Sequence, residues 1–412
     1  MPRIIVIGAG ITGVSTAYSL LQAGYDVVVI EKQRYAAMET SFANGGQLSA
    51  CNAEVWNHWS TIIKGIKWMA RKDAPLLMNP SPSWHKYSWL AEFMTNISRY
   101  RENTIATTRL AISARQHMAD IAEREQIDFD HVRRGILHVY YDKAGFDHAV
   151  RVNEMLVEGG LERHAVGPAE ISGIEPALSG PFHGGFYTPS DSTGDIHKYT
   201  TGLARACERF GATFIYDANV LRMSKRDRLK VSYSVAGNVE DMEFDAIVVC
   251  AGIHSRDLGA MVGDRLNIYP VKGYSITVDL DGEVSQKAAP WVSILDDRAK
   301  IVTSRLGTSR FRVAGTAEFN GANRDIRDDR IRPLVEWTRA LFPGISTSKV
   351  IPWAGLRPMM PNMLPRVGKG KIPGVFYNTG HGHLGWTLSA ATSATLAELV
   401  RRELPVDGRL AA

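Results

Sequence analysis

The apolar pattern of the chain changes period twice within its first thirty residues. "RIIVI" (Arg3–Ile7) is an unbroken run ending in four β-branched residues, the mark of a strand buried on both faces. "ITGVSTAYSLLQAG" (Ile11–Gly24) switches to helical spacing, with Val14, Ala17, Leu20 and Leu21 on one face and Gly24 as the stop. "YDVVVIEK" (Tyr25–Lys32) returns to a buried strand, with Glu31 at its end. Similar runs recur at "FDAIVVCAG" (Phe244–Gly252) and, shorter, at "FYNTG" (Phe376–Gly380), and all are expected in one parallel sheet. Other segments alternate apolar and polar residues: "ILHVYY" (Ile136–Tyr141), "RLKVSYSV" (Arg228–Val235), "YSITVDL" (Tyr274–Leu280) and "RFRVAGT" (Arg310–Thr316). These predict antiparallel strands. A last helix is expected after "NTGHGHLGW" (Asn378–Trp386).

At 412 residues the chain exceeds what one core usually fills, so two domains are expected. Hydrophobic residues at 45% and charged residues at 22% describe a soluble globular protein. The net charge of +5 is small for this length, and no basic block accompanies it, so nucleic acid is not an expected partner. The cysteines, Cys51, Cys207 and Cys250, are odd in number and form no C-x-x-C pair, which argues against a disulfide framework or zinc ribbon and for a reducing, cytoplasmic compartment. The start of the chain shows no signal peptide, and no apolar run approaches the ~18 residues of a spanning helix.

Tryptophan is unevenly placed. Five of the nine (Trp56, Trp59, Trp68, Trp84 and Trp89) fall between residues 56 and 89. "WNHWSTIIKGIKWMARK" can form an amphipathic helix with Lys64, Lys67, Arg71 and Lys72 beside its apolar positions. Two readings stay open: an interfacial helix on the inner face of the cytoplasmic membrane, or a helix packed on a core.

The first strand, helix and second strand frame a G-x-G-x-x-G spacing at Gly8, Gly10 and Gly13. Gly8 permits the tight turn, Gly10 lets backbone approach a pyrophosphate, and Gly13 lets the helix pack on the strand. Helix N–H groups at Ile11 and Thr12 then face the phosphates. Glu31 stands where a carboxylate accepts from a ribose hydroxyl. This pattern alone does not separate NAD from FAD. The next loop, "METSFANGGQLS" (Met38–Ser49), offers small side chains and free backbone donors. At the other end His381 and His383 sit among Gly380, Gly382 and Gly385. A metal site there lacks nearby Cys, Asp or Glu, so none is expected. A catalytic base and a cofactor cradle remain.

Together, "TSFANGGQLS", "GGFYTPSDSTGDIHKYT", "YPVKGYSIT", "AGLRPMMPNMLPRVG" and "NTGHGHLGWTLS" resemble the FAD-dependent D-amino-acid dehydrogenases, within the wider glycine oxidase and D-amino-acid oxidase superfamily. The resemblance runs through nearly the whole chain in the same order. It implies an α/β fold: a discontinuous Rossmann-like FAD-binding domain (1–58, 194–262 and 350–412) with an inserted α+β substrate domain on an antiparallel sheet (59–193 and 263–349). It implies noncovalent FAD, since no cysteine occupies "AGLRPMM", where related sarcosine oxidases attach flavin. Ser41, Ala43, Asn44, Gly45, Gly46 and Gln47 match the loop along the flavin. Lys32, Ala251, Gly252, His381 and Leu384 extend the expected cofactor contacts.

The implied reaction moves hydride from the Cα of a D-amino acid to flavin N5, giving an imine or 2-oxo acid, with electrons passed to a quinone-type acceptor at a membrane. Arg357 matches the carboxylate-binding arginine, and a guanidinium suits that task because it offers two parallel hydrogen bonds. Tyr274 is a second expected orienting group, and Lys272 either steers anions or is solvated. A helix N-terminus at Gly380–Gly385 suits the negative charge of reduced flavin. His383 departs from the threonine of members acting on alanine-like substrates, which brings in D-proline and D-hydroxyproline. Asp191 and Asp195 are expected as turn or capping residues. Alternatives are an oxygen-using oxidase of the glycine or sarcosine oxidase type, an NAD(P)-dependent dehydrogenase, and a non-catalytic flavoprotein subunit.

Overall fold

The computed structural model describes residues 1–68 and 75–406. The runs that open the chain pair as expected. Arg3–Ile7 lies between Asp26–Ile30 and Ala246–Val249, parallel to both. The sheet extends to Thr213–Ile215 on one side and to Val375–Thr379 on the other, where Arg366–Lys369 closes it antiparallel. Both faces are covered, which is why these strands are unbroken apolar runs. Ile4, Val6, Val27, Val29 and Val248 pack under Ile11–Gln22, Ile196–Arg209 and the last helix, Gly385–Glu403. Ile5, Ile7, Val28, Ile30 and Val249 pack under an antiparallel layer formed by Ala218–Lys225, Leu229–Val235 and Asn238–Phe244.

Among the described residues a second, nine-stranded sheet runs from Val350–Met359 through Tyr269–Asp279, Arg310–Phe319, Ile301–Leu306, Ser293–Asp296, Ile136–Tyr140 and Gly184–Thr188 to His164–Val166, with Leu76–Met78 beside Arg310–Phe319. Most pairings are antiparallel. Ile136–Tyr140, however, runs parallel to Ser293–Asp296, and Leu76–Met78 parallel to Arg310–Phe319. Ile136–Tyr140 is buried at all five positions, so its apparent alternation does not mark a wet face. Its polar member, His138, is enclosed. On one face Ile276, Val278, Phe311 and Val313 pack with Leu334 and Leu341 of the helix Asp328–Leu341. The opposite face meets the segment around Asn44 and Gly45, with Arg312 Nη1 donating to the Asn44 carbonyl and Ser304 Oγ to the Gly45 carbonyl.

Val350–Met359 pairs rung by rung with Tyr269–Asp279, from Val350↔Val278 to Met359↔Tyr269. The large sheet therefore continues past residue 349, and a boundary at 350 would cut through its hydrogen-bond ladder.

The tryptophan-rich stretch divides. Trp89 is buried, stacks on Phe93 and donates its indole N–H to the Met359 carbonyl at 2.8 Å. Trp59 and Trp84, on the helices Trp59–Trp68 and Trp84–Thr95, are 59% and 85% exposed. The side chains of Lys64, Lys67 and Trp68, and all of Arg71 and Lys72, lie outside the described residues. Among the described residues no helix is long and apolar enough to cross a membrane.

Candidate active site

One cavity of about 1010 Å³ runs from the first turn of the chain to the face of the large sheet. At its first end the glycine spacing explains itself sterically. Gly8 has φ +104°, and a Cβ on Gly13 would lie 1.8 Å from the Gly8 carbonyl oxygen. Gly13 therefore serves helix-on-strand contact and does not line the cavity. Gly10 differs, because its Cβ would meet only Ser41 Oγ at 3.4 Å. What Gly10 keeps clear is cavity space, in line with close approach by a phosphate. Ser41 Oγ accepts from Ile11 N at 3.0 Å, which seats the Met38–Ser49 loop on the helix start. Gly8, Gly10, Ile11 and Thr12 line this end.

Glu31 is buried beside them. Its carboxylate accepts from Ala9 N at 2.7 Å and Gln33 N at 2.9 Å. Burial pushes its carboxyl above the usual range, against the pull of those N–H groups. Lys32 lies at the rim, within 2.7 Å of His254 Nε2 and 3.2 Å of Glu39.

The middle of the cavity is lined by Ala43, Asn44, Gly45, Gly46 and Gln47 from the loop, and by Ala251 and Gly252 after the strand Ala246–Val249. A Cβ on Gly45 would lie 2.8 Å from Val302, and Gly46 sits at φ +72°, so the loop presses against the large sheet. Gly380, His381, Gly382, His383 and Gly385 face it. Gly380 and Gly382 take φ +74° and +58°, a left-handed path that leaves the N-terminus of Gly385–Glu403 without a side-chain cap. Its free N–H groups and the positive end of its dipole therefore meet the cavity. Leu384 does not share this face, because its side chain is packed with Ala50, Cys51 and Leu388.

The far end holds the arginine. On Val350–Met359, Arg357 is cross-strand partner of Val271, and Gly355 of Gly273. Directly paired residues share a sheet face, so Arg357, Gly273 and Gly355 look the same way. The guanidinium lies across Gly273, where a Cβ would fall 2.4 Å from Cζ. Nη1 donates to the Thr316 carbonyl at 3.1 Å, and burial pushes the pKa down to about 10. Beside it His383 stacks on Trp56, with ring centroids 4.9 Å apart at 21°, and Nε2 is 3.4 Å from the Asn52 carbonyl. Burial first, then the nearby Arg357 charge, pushes His383 down to about 4, so the ring is neutral at pH 7. His381 is pushed to about 3 by burial, with Nε2 3.0 Å from Thr392 Oγ1.

Tyr274 does not join Arg357. It pairs with Ala354, one residue out of phase, so its side chain enters the core on the opposite face of the sheet. Its hydroxyl donates to Glu318 at 2.6 Å. Lys272 follows it, fully buried, 3.4 Å from Glu318 and donating to Asn323 at 2.6 Å, so it is neither solvated nor steering. The period of 2 in a strand decides this, and it becomes visible only once the register is known. Asp195 caps Ile196–Arg209 by accepting from His197 N and Lys198 N. Asp191 does more than turn the chain. It accepts from Ala50 N, Cys51 N and Arg115, and so anchors the wall segment that leads to Asn52 and Trp56.

Sequence reasoning missed Asn52, Trp56, His138, Tyr140 and Arg163, all on the cavity wall. The one available signal was His138, a lone polar residue in a strand that proved wholly buried. Cys51, Cys207 and Cys250 are free and buried. Among the described residues no His, Cys, Asp or Glu group is placed to hold a metal ion.

The features at the first end and in the middle of the cavity fit FAD: a cleared turn for pyrophosphate, a carboxylate at the second strand end, and an uncapped helix N-terminus. A family model described as FAD dependent oxidoreductase (DAO) matches residues 3–399. The "D-amino acid dehydrogenase 3" of Mesorhizobium japonicum is 73% identical over 412 residues, covering 100% of both chains. The D-amino acid dehydrogenase of Paramagnetospirillum magneticum is 40% identical over 410 residues, covering 97% of this chain and 94% of its own. Among solved structures, glycine oxidase from Geobacillus kaustophilus superposes with TM-score 0.77 at 20% identity, over 98% of this chain and 95% of that one. The L-proline dehydrogenase from P. horikoshii gives TM-score 0.76 at 16% identity, over 98% and 96%. At such identities these two show a shared fold.

Proposed function

The chain belongs to the DAO family of FAD dependent oxidoreductases, and from that premise we propose that it is a D-amino-acid dehydrogenase that converts the Cα–N bond of its substrate to an imine, which water carries on to a 2-oxo acid. The relative named D-amino acid dehydrogenase 3, at 73% identity over the full chain, supports the substrate class. The observation that carries the reading is Arg357, a cation set into the sheet face at the far end of the cavity from the dinucleotide turn.

When bound, FAD supplies a two-electron acceptor for the hydride that leaves Cα. The protein's task is placement. Arg357 offers two parallel donors to an α-carboxylate, which fixes where Cα lies. The Ile11–Thr12 turn and Glu31 would hold the dinucleotide, and the Ala43–Gln47 and Gly380–Gly385 segments would hold the ring. The open N-terminus of Gly385–Glu403 favours negative charge there. His383, neutral at pH 7, adds a hydrogen-bonding edge without a competing charge beside Arg357. Its flat stack with Trp56 suits a ring, which supports cyclic imino acids such as D-proline or D-hydroxyproline among the substrates.

A quinone as electron acceptor, and a cytoplasmic location against the membrane's inner face, are part of the same reading. Trp59, Ile63, Trp84 and Tyr87 are exposed apolar side chains on two helices that also line the cavity through Ile62, Leu90 and Met94. That pattern supports contact with an apolar surface near the cavity. The domain reading is kept with one change: the substrate domain takes Val350–Met359 along with 59–193 and 263–349.

The test is anaerobic bleaching of the purified flavoprotein by a panel of D-amino acids, L-amino acids, sarcosine and cyclic imino acids. Bleaching by D-amino acids or D-proline is expected. Bleaching by L-amino acids or sarcosine alone, or a colourless protein, would overturn the reading. Rapid turnover with oxygen as sole acceptor would move it to the oxidases.

A further inference from the structure

Beside Arg357 the large sheet breaks its own register. On Tyr269–Asp279, Lys272 pairs with Glu318 and Tyr274 with Gly315. Gly273 alone therefore faces two residues, Thr316 and Ala317, which makes a β-bulge. On the other side of Arg310–Phe319 the partner strand changes at the same point: Gly315 pairs with Ile301, and Ala317 with Leu76. Thr316 takes no rung in either ladder. Its carbonyl is left to accept from Arg357 Nη1 at 3.1 Å.

Thr316 stands at φ +59°. The left-handed position of a bulge suits glycine, and a β-branched residue there is strained. Strain of this kind gathers at ligand clamps. Within the protein the threonine hydroxyl offsets none of it, because Oγ1 is buried and has no hydrogen-bond partner among the described residues. Thr316 is 7% exposed and lines the cavity together with Gly273 and Arg357. One step of χ1 between staggered wells exchanges hydroxyl and methyl. What threonine adds to a position made for glycine is therefore a hydroxyl with no other bond. The carbonyl of the same residue is already within hydrogen-bond distance of Nη1, so that hydroxyl lies beside the guanidinium and not across the cavity.

We propose that Thr316 is a substrate-binding residue, whose hydroxyl donates to the same α-carboxylate that Arg357 grips. This rests on the reading of Arg357 as the carboxylate anchor. A carboxylate has about four lone-pair sites, and a guanidinium fork occupies two of them in one plane. A third donor from the facing strand fixes the tilt of the group, and with it the direction in which Cα points. The orienting hydroxyl that the sequence suggests at Tyr274 is thus supplied by Thr316, on the face of the sheet that Tyr274 leaves.

The experiment titrates the flavin spectrum of the holoenzyme with propionate, a carboxylate that cannot react, in the wild type and in three variants. Thr316→Val keeps the branched shape and removes the hydroxyl, and is expected to weaken propionate about tenfold. Thr316→Ser keeps the hydroxyl and should stay within about threefold of wild type. Thr316→Gly relaxes the turn without restoring a hydroxyl, and should weaken binding as valine does. Wild-type affinity in Thr316→Val would overturn the contact. Wild-type affinity in Thr316→Gly alone would overturn it as well, by tracing the loss to backbone strain, and a serine variant as weak as valine would trace it to packing. No response to propionate in the wild type would also overturn it. If Thr316→Val does not fold, the serine and glycine variants carry the same contrast. Anaerobic bleaching by D-amino acids is run in parallel. If none bleaches the flavin while propionate still follows the hydroxyl, the activity reading fails and the contact stands. If they bleach it and propionate ignores the hydroxyl, the contact fails alone.

Discussion

Alanine at Gly273 is the sharpest probe of the arginine, because it touches Arg357 without altering it. An added Cβ would lie 2.4 Å from Cζ and Nη2 and 2.6 Å from Nη1. Ordinary contact between such atoms is about 3.5 Å, so the guanidinium must withdraw by about 1 Å. A substrate hydrogen bond of about 2.9 Å stretched by that much is no longer one. Losing a charge-assisted bond costs about 1.5–3 kcal/mol, roughly ten- to a hundredfold in kcat/KM. The backbone itself tolerates alanine, since Gly273 is not among the residues with positive φ. Gly355→Ala is the control: on the same face its Cβ would meet Trp353 at 2.1 Å and so strains the sheet through a different side chain. The assay is stopped-flow reduction against substrate concentration, with FAD content measured alongside. The effect should fall on substrate affinity, with FAD retained. Gly273→Ala kinetics within twofold of wild type would refute the placement of the guanidinium, and an equal loss in both variants would trace it to the sheet alone.

Four further outcomes follow from the same geometry. Arg357→Lys keeps the charge and loses the paired donors, so steady-state kcat/KM should fall roughly ten- to a hundredfold with FAD still bound; full activity would remove the residue from the site. Gly10→Val should purify colourless, as read from the visible spectrum, because its side chain would occupy the space that Gly10 keeps clear. Between pH 6.5 and 4 the unfolded chain binds protons at His381 and His383 that the folded chain refuses, so stability is present above pH 6.5 and is lost as pH falls through that window; the urea midpoint should drop by the equivalent of a few kcal/mol and drop less in His381→Asn. The exposed Trp59 and Trp84 face should carry part of the protein down with anionic vesicles, less so in high salt, and absence of binding at low salt would leave those helices as packing elements.

The legible parts of the molecule were those whose cause is local. The glycine turn, the runs buried on both faces and the Gly385–Glu403 helix each announce themselves within a dozen residues. Arg357 was legible as a residue type beside a family pattern. What the sequence withheld depends on register and on contacts distant in the chain. Tyr274 and Gly273 are adjacent, yet only strand pairing tells which of them looks toward Arg357. His138 reads as the polar member of an alternating strand until both faces prove covered. Arg163 lies in a short connection and carries no local pattern. Asp191 reads as a turn residue until Ala50 and Cys51 arrive from a segment about 140 positions earlier.

The ten-rung pairing of Val350–Met359 with Tyr269–Asp279 also bears on how such a protein diversifies. Arg357 is held by a ladder in which a one-residue slip would turn it to the wrong face, so the anchor tolerates little drift. The surroundings of a side chain come from elsewhere, from the connection carrying Asn52 and Trp56, the helices Trp59–Trp68 and Trp84–Thr95, and the edge strand after Arg163. Those pieces can be exchanged, lengthened or repacked without disturbing the ladder. The division gives selection two independent handles: one holds the arginine proposed to grip the α-carboxylate, and the other explores what hangs beyond it.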